Sequence, residues 1–399
     1  MLTPDQALRK IFAACEVMPT CKVDIRTASG LVLASNIYCP DSLPRFNNSA
    51  VDGFALRSMD IRNARGKKPV HLRLVGEVHA GSAASPKIRL GEAVRVSTGA
   101  RIPTGADAVV MQEDCGVYNG KLMVKIAEAR WNNIRRRGEE IQKGQIALRK
   151  GTRLNPGSLA WLSTMGIKKV SIYRPLKVGL LRSGNEVVDL QKSPRPYQVR
   201  DAHGISIPAA LKMMGLETKI APIVCDDLDA IVGTWRKLLA VCDVVITTGG
   251  VSVGERDFFH EAARKLGLKT IFQGVSQKPG KPLAFGKKGS KLWFGLPGNP
   301  VSSLVCFYIY IQPALLRMMG INNNFSSEWI EARAAHKVCP DFKRTSFLRG
   351  YLQNGSVSLA EKQGSHCLSS FSHANVLVRL NPIVQIQRGA KVCCLRLPW

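Results

Sequence analysis

Apolar residues recur along this chain in three rhythms. Near the start, Ala7, Leu8, Ile11 and Phe12 fall at helical spacing and predict a helix, followed by the strand-like run GLVLASNIY. From Pro69 to about residue 126 the apolar runs are short and broken by Gly and Pro: VHLRLVGEV, AVRVSTGA, DAVVMQE, KLMVKIAE. That rhythm predicts an all-β module, a small barrel or sandwich. Between residues 175 and 320 the rhythm changes to strand, turn, helix, repeated. DVVITTGG lacks polar alternation, as a strand buried on both faces must, so this region reads as a doubly wound α/β domain with a parallel sheet. From about residue 328 the short runs return (VSLAEK, NVLVRL, PIVQIQ, KVCCLRL) and predict a C-terminal β-barrel. The stretch CPDSLPRFNNSAVDGFAL reads as an exposed, shaped loop, and NNIRRRGEEIQKGQIALRKGTRL as a basic linker. NPGSLAWLSTMGI predicts a helix with Asn155 as N-cap, Pro156 at its first position and Gly166 beyond its end.

In a doubly wound sheet, ligands bind outside the carboxyl ends of the strands. Four strand-to-helix turns therefore draw attention: Ser183-Gly184-Asn185-Glu186, Asp226-Asp227, Thr247-Thr248-Gly249-Gly250-Val251-Ser252, and the 295–300 turn GLPGNP. Gly249 and Gly250 allow backbone N–H groups to approach an anion at a helix N-terminus, and Thr247, Thr248 and Ser252 add hydroxyls. The turn is neither a dinucleotide fingerprint nor a Walker loop, and tight strand–helix packing is the competing reading. Glu186, Asp226 and Asp257 follow different strands on that same edge. Carboxylates beside bound phosphates suit a bridging divalent cation, commonly Mg²⁺. The blander alternatives are a first-turn dipole partner for Asp257 and a helix cap for Asp226. QKPGKPLAFG sets Lys278 and Lys281 on a loop stiffened by Pro279 and Pro282, which suits an oxyanion or a merely solvated basic loop. His366 reads equally as a ligand contact or a loop histidine.

Composition narrows the choice. The 399 residues are 45% hydrophobic, enough for several packed domains. No membrane span is expected, and the apolar 304–311 segment reads as a buried helix. The N-terminus mixes acid with base, so the expected compartment is the cytoplasm. Eleven Cys without a CxxC pair suggest ordinary buried thiols. The net charge of +28 raises nucleic acid, yet the bases are scattered and no recognition motif accompanies them, so nucleic acid is not an expected partner. The charge suits an anionic small substrate in a basic proteome. It also makes each cluster of the scarce acids more informative.

At these residues the sequence resembles the molybdopterin molybdenumtransferases, the MoeA type that includes the C-terminal domain of gephyrin. The motifs FNNSAVDGFA, STGARIPTGADAVVMQED, NIRRRGEEI, SGNE, TTGGVSVGERD, KPGKPLAFG, GLPGNPVSS and QGSHCLSSFS stand in order over residues 3 to 395. The resemblance implies four domains: a discontinuous N-terminal linker domain (1–40 with 141–174), an inserted β domain (41–140), an α/β molybdopterin-binding domain (175–327) and a C-terminal β-barrel (328–399). It implies a homodimer and a reaction that inserts molybdenum from molybdate into adenylylated molybdopterin, releasing AMP with Mg²⁺ required. The molybdopterin adenylyltransferase is the implied protein partner.

By the same resemblance Asp52 reaches the cleft from the partner subunit, with Thr98 and Glu140 on the same side. Glu186, Asp226 and Asp257 serve metal and substrate, with Asp52 completing the catalytic set. Ser183, Gly184, Thr248, Gly249, Gly250 and Ser252 bind substrate. Lys278, Lys281, Pro297 and Pro300 shape the molybdate pocket, joined by Arg349 and Ser370 from the last domain. Three positions depart from the pattern. Glu140 stands where bacterial members usually have Asp, Asn185 where Asp is common, and His203 where Asn is typical, which puts a hydrogen bond near Asp201 in question. Other readings are a related molybdopterin adenylyltransferase or CinA-like nucleotide hydrolase on the same α/β domain, or a gephyrin-like scaffold. The first two lack the SAVDGFA insert and the barrel.

Overall fold

The first apolar stripe folds as its spacing predicts. Helix α1 spans Pro4–Ala14, with Thr3 and Gln6 forming a reciprocal capping box and Ala7, Ile11 and Ala14 buried. The computed structural model describes every residue except 84–85, 250–257, 322–328, 340 and 383–384. The chain forms two compact units. One comprises Met1–Ala34, Gly151–Asn155 and Val170–Trp399; the other comprises Ser35–Lys150 and Pro156–Lys169.

The second unit is built on a six-stranded sheet of β1 (Gly53–Leu56), β2 (Val70–Val78), β3 (Glu92–Val96), β4 (Ala108–Met111), β5 (Cys115–Tyr118) and β6 (Lys121–Val124). The spatial order is β4-β1-β3-β2-β6-β5, and only β2 and β3 run parallel. Both faces are buried: Phe54, Leu56 and Val110 pack on one side, Ala55, Val94 and Val109 on the other. Strand alternation makes this division. The ladder does not close into a barrel among the described residues. Helix α2 (Pro156–Thr164) also belongs here and ends at Gly166, whose φ is +73°. The amide of Ile167 bonds back to the Leu162 carbonyl at 3.0 Å.

The α/β sheet of the first unit comprises β7 (Val178–Arg182), β8 (Thr218–Ile220), β9 (Val244–Thr248), β10 (Lys269–Gln273), β12 (Ala284–Lys288) and β13 (Lys291–Leu296). The two-residue strand β11 (Gln277–Lys278) lies outside it. The order is β8-β7-β9-β13-β12-β10. The first four strands are parallel; β12 runs antiparallel to both of its neighbours, β13 and β10, so β10 points the same way as the first four and the sheet is mixed rather than wholly parallel. Much of the motif KPGKPLAFG, read as a loop, therefore belongs to strands β11 and β12. Helix α3 (His203–Met213) packs on one face with the Pro300–Met318 helix, and α4 (Leu228–Val241) and α5 (Phe258–Lys265) on the other. This covering of both faces is why Val244, Val245 and Ile246 are apolar without alternation.

The Pro300–Met318 helix comprises α6 (Pro300–Cys306), a π turn at Phe307–Ile311 and α7 (Gln312–Met318). Pro313 lacks an N–H and crowds the carbonyl four residues earlier, and the wider π turn accommodates it. By length and composition this helix could cross a bilayer, but 83% of its most apolar window is buried inside the protein. It is the core, and longer than the 304–311 segment suggested.

The C-terminal strands β14 (Trp329–Ala334), β15 (Thr345–Gln353), β16 (Ser356–Leu359), β17 (Val376–Leu380) and β18 (Lys391–Arg396) pair in the ring β15-β16-β14-β18-β17. A β15–β17 pairing closes the predicted barrel. Phe347, Leu377 and Leu395 leave the barrel's own core to join the cluster around Val244 and Leu292, so barrel and α/β sheet form one unit. Strand β11 extends the barrel, pairing Lys278 with Ser346.

Candidate active site

Strand order reverses between β7 and β9, and their carboxyl ends open the crevice expected at such a switch point. The Ser183 amide donates to the Thr248 carbonyl at 3.2 Å, and the Gly184 amide to the Val224 carbonyl at 3.3 Å. Gly249 has φ +89°, and a Cβ there would lie 2.6 Å from the Ser183 carbonyl oxygen, so only glycine fits. Among the described residues the buried Ser183 hydroxyl has no hydrogen-bond partner, a group that a ligand would satisfy. A cavity of about 680 Å³ lies beside these turns, lined in part by Arg182, Gly184, Asn185, Lys192, Val224 and Cys225. Arg182 is buried, pairing with Asp201 and with the Ala221 carbonyl. Thr247 does not face this crevice. Its hydroxyl accepts from the Trp293 indole at 3.0 Å in the core under α4 and α5, because β9 sends successive side chains to opposite faces. Thr248 is buried on the other face.

Two of the three rim acids are described. The Asp226 amide donates to Asn185 Oδ1 at 3.1 Å, and the Asn185 amide to Asp226 Oδ2 at 3.4 Å, tying the turn after β7 to the turn before α4. The amide side chain at 185 thus does a task that a carboxylate oxygen would also do. The helix cap is Asp227, whose Oδ1 accepts from the Ala230 amide at 2.8 Å, leaving Asp226 at the rim. Glu186 is exposed, and its Oε2 lies 2.9 Å from where a Cβ on Gly184 would stand. Asp257, Gly250 and Ser252 lie outside the described residues. Among those described, no three His, Cys, Asp or Glu residues gather into a metal cage. Two carboxylates offer hard oxygen donors, which suits Mg²⁺ shared with substrate phosphates rather than an all-protein site.

A second group of predicted residues meets at the start of α6. Lys278, at the end of β11, and Lys281, on the turn that follows, are exposed; Gln277 holds that turn from beneath, its Nε2 donating to the Pro279 carbonyl at 2.9 Å and its Oε1 accepting from Tyr310. Pro297 and Pro300 bound the next turn, and Asn299 between them reaches Ser365 at 3.4 Å. That segment folds over Arg349. The Arg349 side chain is fully buried, donating from Nε to the Ser370 hydroxyl at 2.9 Å and from Nη2 to the Gly364 and Lys362 carbonyls at 3.1 and 3.2 Å. Its Nη1 has no partner, and no carboxylate pairs with it among the described residues. Burial pushes the guanidinium down to about 10, so it stays charged at neutral pH without a counter-ion. His366 is exposed, its ring close to the backbone at Gly364.

In the second unit, Asp52 Oδ1 accepts from both the amide and the hydroxyl of Thr98, at 2.7 and 3.1 Å. Glu140 is exposed. Its neighbour Glu139 is spent locally, accepting from the Arg136 amide at 2.6 Å.

Comparison with known proteins covers most of the chain. Residues 2–166 match the family described as "MoeA N-terminal region (domain I and II)", residues 179–317 the "Probable molybdopterin binding domain", and residues 331–397 the "MoeA C-terminal region (domain IV)". The molybdopterin molybdenumtransferase of Haemophilus influenzae is 34% identical over 399 residues, covering 98% of this chain and 96% of the relative. The chain belongs to the MoeA family. The molybdopterin molybdenumtransferase of a Nostoc species is 32% identical, covering 94% and 88% of the two chains. The crystal structure of the molybdopterin biosynthesis MoeA protein from Pyrococcus horikoshii OT3 superposes with a TM-score of 0.86 at 30% identity, covering all of both chains.

Within this MoeA fold, several residues that organise the site carry no local signal. Gln277, Arg182 and Ser303 each act through a partner distant in sequence. Asp201 keeps two hydrogen bonds despite the histidine at 203, accepting from Arg182 and, at 2.9 Å, from the Gly204 amide.

Proposed function

We propose that this protein transfers molybdenum from molybdate to the dithiolene of adenylylated molybdopterin, with release of AMP. The observation that carries the reading is Arg349: a fully buried guanidinium with no acid beside it and one nitrogen unpartnered among the described residues is a preformed receptor for a small oxyanion. The turns bearing Lys278, Lys281, Pro297 and Pro300 converge nearby and supply further positive charge and shape. Full-length similarity to molybdenumtransferases, covering both flanking regions, favours this over a stand-alone adenylyltransferase or nucleotide hydrolase.

The substrate joins a pterin phosphate to AMP through a diphosphate. In our reading the Ser183, Gly184, Thr248 and Gly249 turns bind that part, with the buried Ser183 hydroxyl as a donor. Glu186 and Asp226, with Asp257, would hold Mg²⁺, which when bound offsets the negative charge of the diphosphate. The substrate's two dithiolene sulfurs displace two oxygens of molybdate, which take up protons and leave as water, and one water cleaves the diphosphate so that AMP departs, so the protein needs no nucleophile. Its work is to bring two anions together, orient them and exclude water. Asp52, Thr98 and Glu140 complete the cleft from a second subunit of a homodimer in the cytoplasm, where the adenylyltransferase delivers its product. The test is AMP release from adenylylated molybdopterin with and without molybdate and Mg²⁺. Release dependent on both supports the reading; release without molybdate points to a hydrolase and overturns it.

A further inference from the structure

Behind the 297–300 turn lies a short chain of buried polar groups. Ser303, fully buried in α6, donates its hydroxyl hydrogen to the Pro297 carbonyl at 2.5 Å. Its Oγ also lies 3.1 Å from Nε2 of His203, the first residue of α3, itself buried. A hydroxyl has one hydrogen, and this one is committed to Pro297, so the imidazole must be the donor. That fixes His203 as the Nε2-protonated tautomer. The direction of the whole chain follows: imidazole to hydroxyl, hydroxyl to carbonyl.

The chain has an anchored far end. His203 sits between Asp201 and Gly204, which are bonded to each other at 2.9 Å, while Asp201 also pairs with Arg182 at the end of β7. The imidazole therefore cannot drift without disturbing a buried ion pair. At the other end, Pro297 is buried while Gly298 and Asn299 are exposed. The held carbonyl is the last fixed point before the turn emerges beside Ser365 and the Arg349 segment.

We propose that His203 is a positioning residue that acts through Ser303 to set the 297–300 turn against the oxyanion pocket. It touches no substrate. Its contribution is to keep the turn where Asn299 and the two prolines meet the incoming anion, and in this respect the inference rests on the molybdate reading above.

The experiment uses the full-length protein and two readouts, amide hydrogen exchange across residues 298–303 and calorimetric titration with molybdate alone. In His203→Met, which keeps bulk but removes the donor, exchange in the turn should quicken and molybdate affinity fall about tenfold, the loss expected for one buried hydrogen-bond partner. His203→Gln puts an amide nitrogen where Nε2 was and should restore both. Ser303→Ala, nearly isosteric and safe to fold, should reproduce the defect, and adding His203→Met to it should cost nothing further. Wild-type exchange and affinity in a folded His203→Met or Ser303→Ala protein would overturn the proposal. If the unaltered protein takes up no molybdate, the oxyanion reading fails, and the exchange data alone decide whether these side chains hold the turn.

Discussion

Thr98 gives both its backbone N–H and its hydroxyl to a single oxygen of Asp52, Oδ1, at 2.7 and 3.1 Å. Two donors on one oxygen fix the carboxylate plane and leave Oδ2 for other work. Asp52→Asn retains an oxygen at the fixed position but loses the charge. The expected outcome is an unchanged melting temperature with AMP release lowered by about 100-fold or more, the scale seen when one preorganised electrostatic group is removed. Activity close to wild type in that variant would remove Asp52 from the catalytic set.

Adjacent aspartates after β8 should separate cleanly. Asp227 caps α4, so Asp227→Ala should cost about 1 kcal/mol of stability with turnover kept. Asp226→Ala keeps the backbone bond from residue 226 to Asn185 Oδ1. It gives up only the long 3.4 Å bond from the Asn185 amide, so it should melt close to wild type while losing AMP release. Thermal unfolding and turnover on the same two preparations check the pair; the opposite pattern would make Asp226 a structural residue.

Chelation tests the cation. Removing divalent ions should abolish AMP release, and added Mg²⁺ should restore it. Glu186→Gln should raise the Mg²⁺ needed for half-maximal rate, because one hard anionic donor becomes neutral. An unshifted Mg²⁺ titration would exclude Glu186 as a ligand.

Arg349→Lys keeps the charge but not the fork. Bonds from Nε to Ser370 and from Nη2 to two carbonyls cannot all be made by one ammonium. Stability should fall by about 2 kcal/mol, and calorimetry should find molybdate binding weakened. Undiminished molybdate binding would place the oxyanion elsewhere.

Acid should weaken the fold through His203. Burial, with Arg182 nearby and against the pull of Asp201, lowers the imidazole from 6.5 to about 4. Between those values the unfolded chain takes up a proton that the native state refuses, so stability falls as pH drops through that window. The full effect is about 3 kcal/mol, complete near the lower value. The melting temperature of His203→Gln should therefore decline less from neutrality to about pH 4 than that of the unaltered protein. Parallel declines would mean that other groups dominate.

Much of this fold is legible because its signals are local. Helix α1 is written in Thr3, Pro4, Gln6 and the spacing of Ala7, Ile11 and Ala14, all within one short window. The end of α2 is written in Gly166, and β9 in an apolar run without alternation. The order of the motifs, the turn glycines and the scarce acids point, in the sequence itself, to an anion-handling cleft at the end of a doubly wound sheet. Chain connectivity and covalent geometry alone impose these features.

Tertiary structure decided the rest, because it depends on partners far along the chain. Nothing in AFGKK says that β12 runs antiparallel to β13, since direction is set by the register it finds. Thr247 and Thr248 look equivalent in sequence; strand alternation and the distant Trp293 assign them opposite faces. Which of two aspartates caps α4 was settled by where the helix begins. Arg349 is named only through the family resemblance, and its burial becomes visible only once the barrel closes and the Lys362 and Gly364 carbonyls bond to it. His203 and Ser303 stand 100 residues apart and meet only when α3 and α6 pack on the same face of the sheet. Short-range propensity can write helices, strands and turns, but burial, counter-charge and hydrogen-bond direction belong to the folded chain.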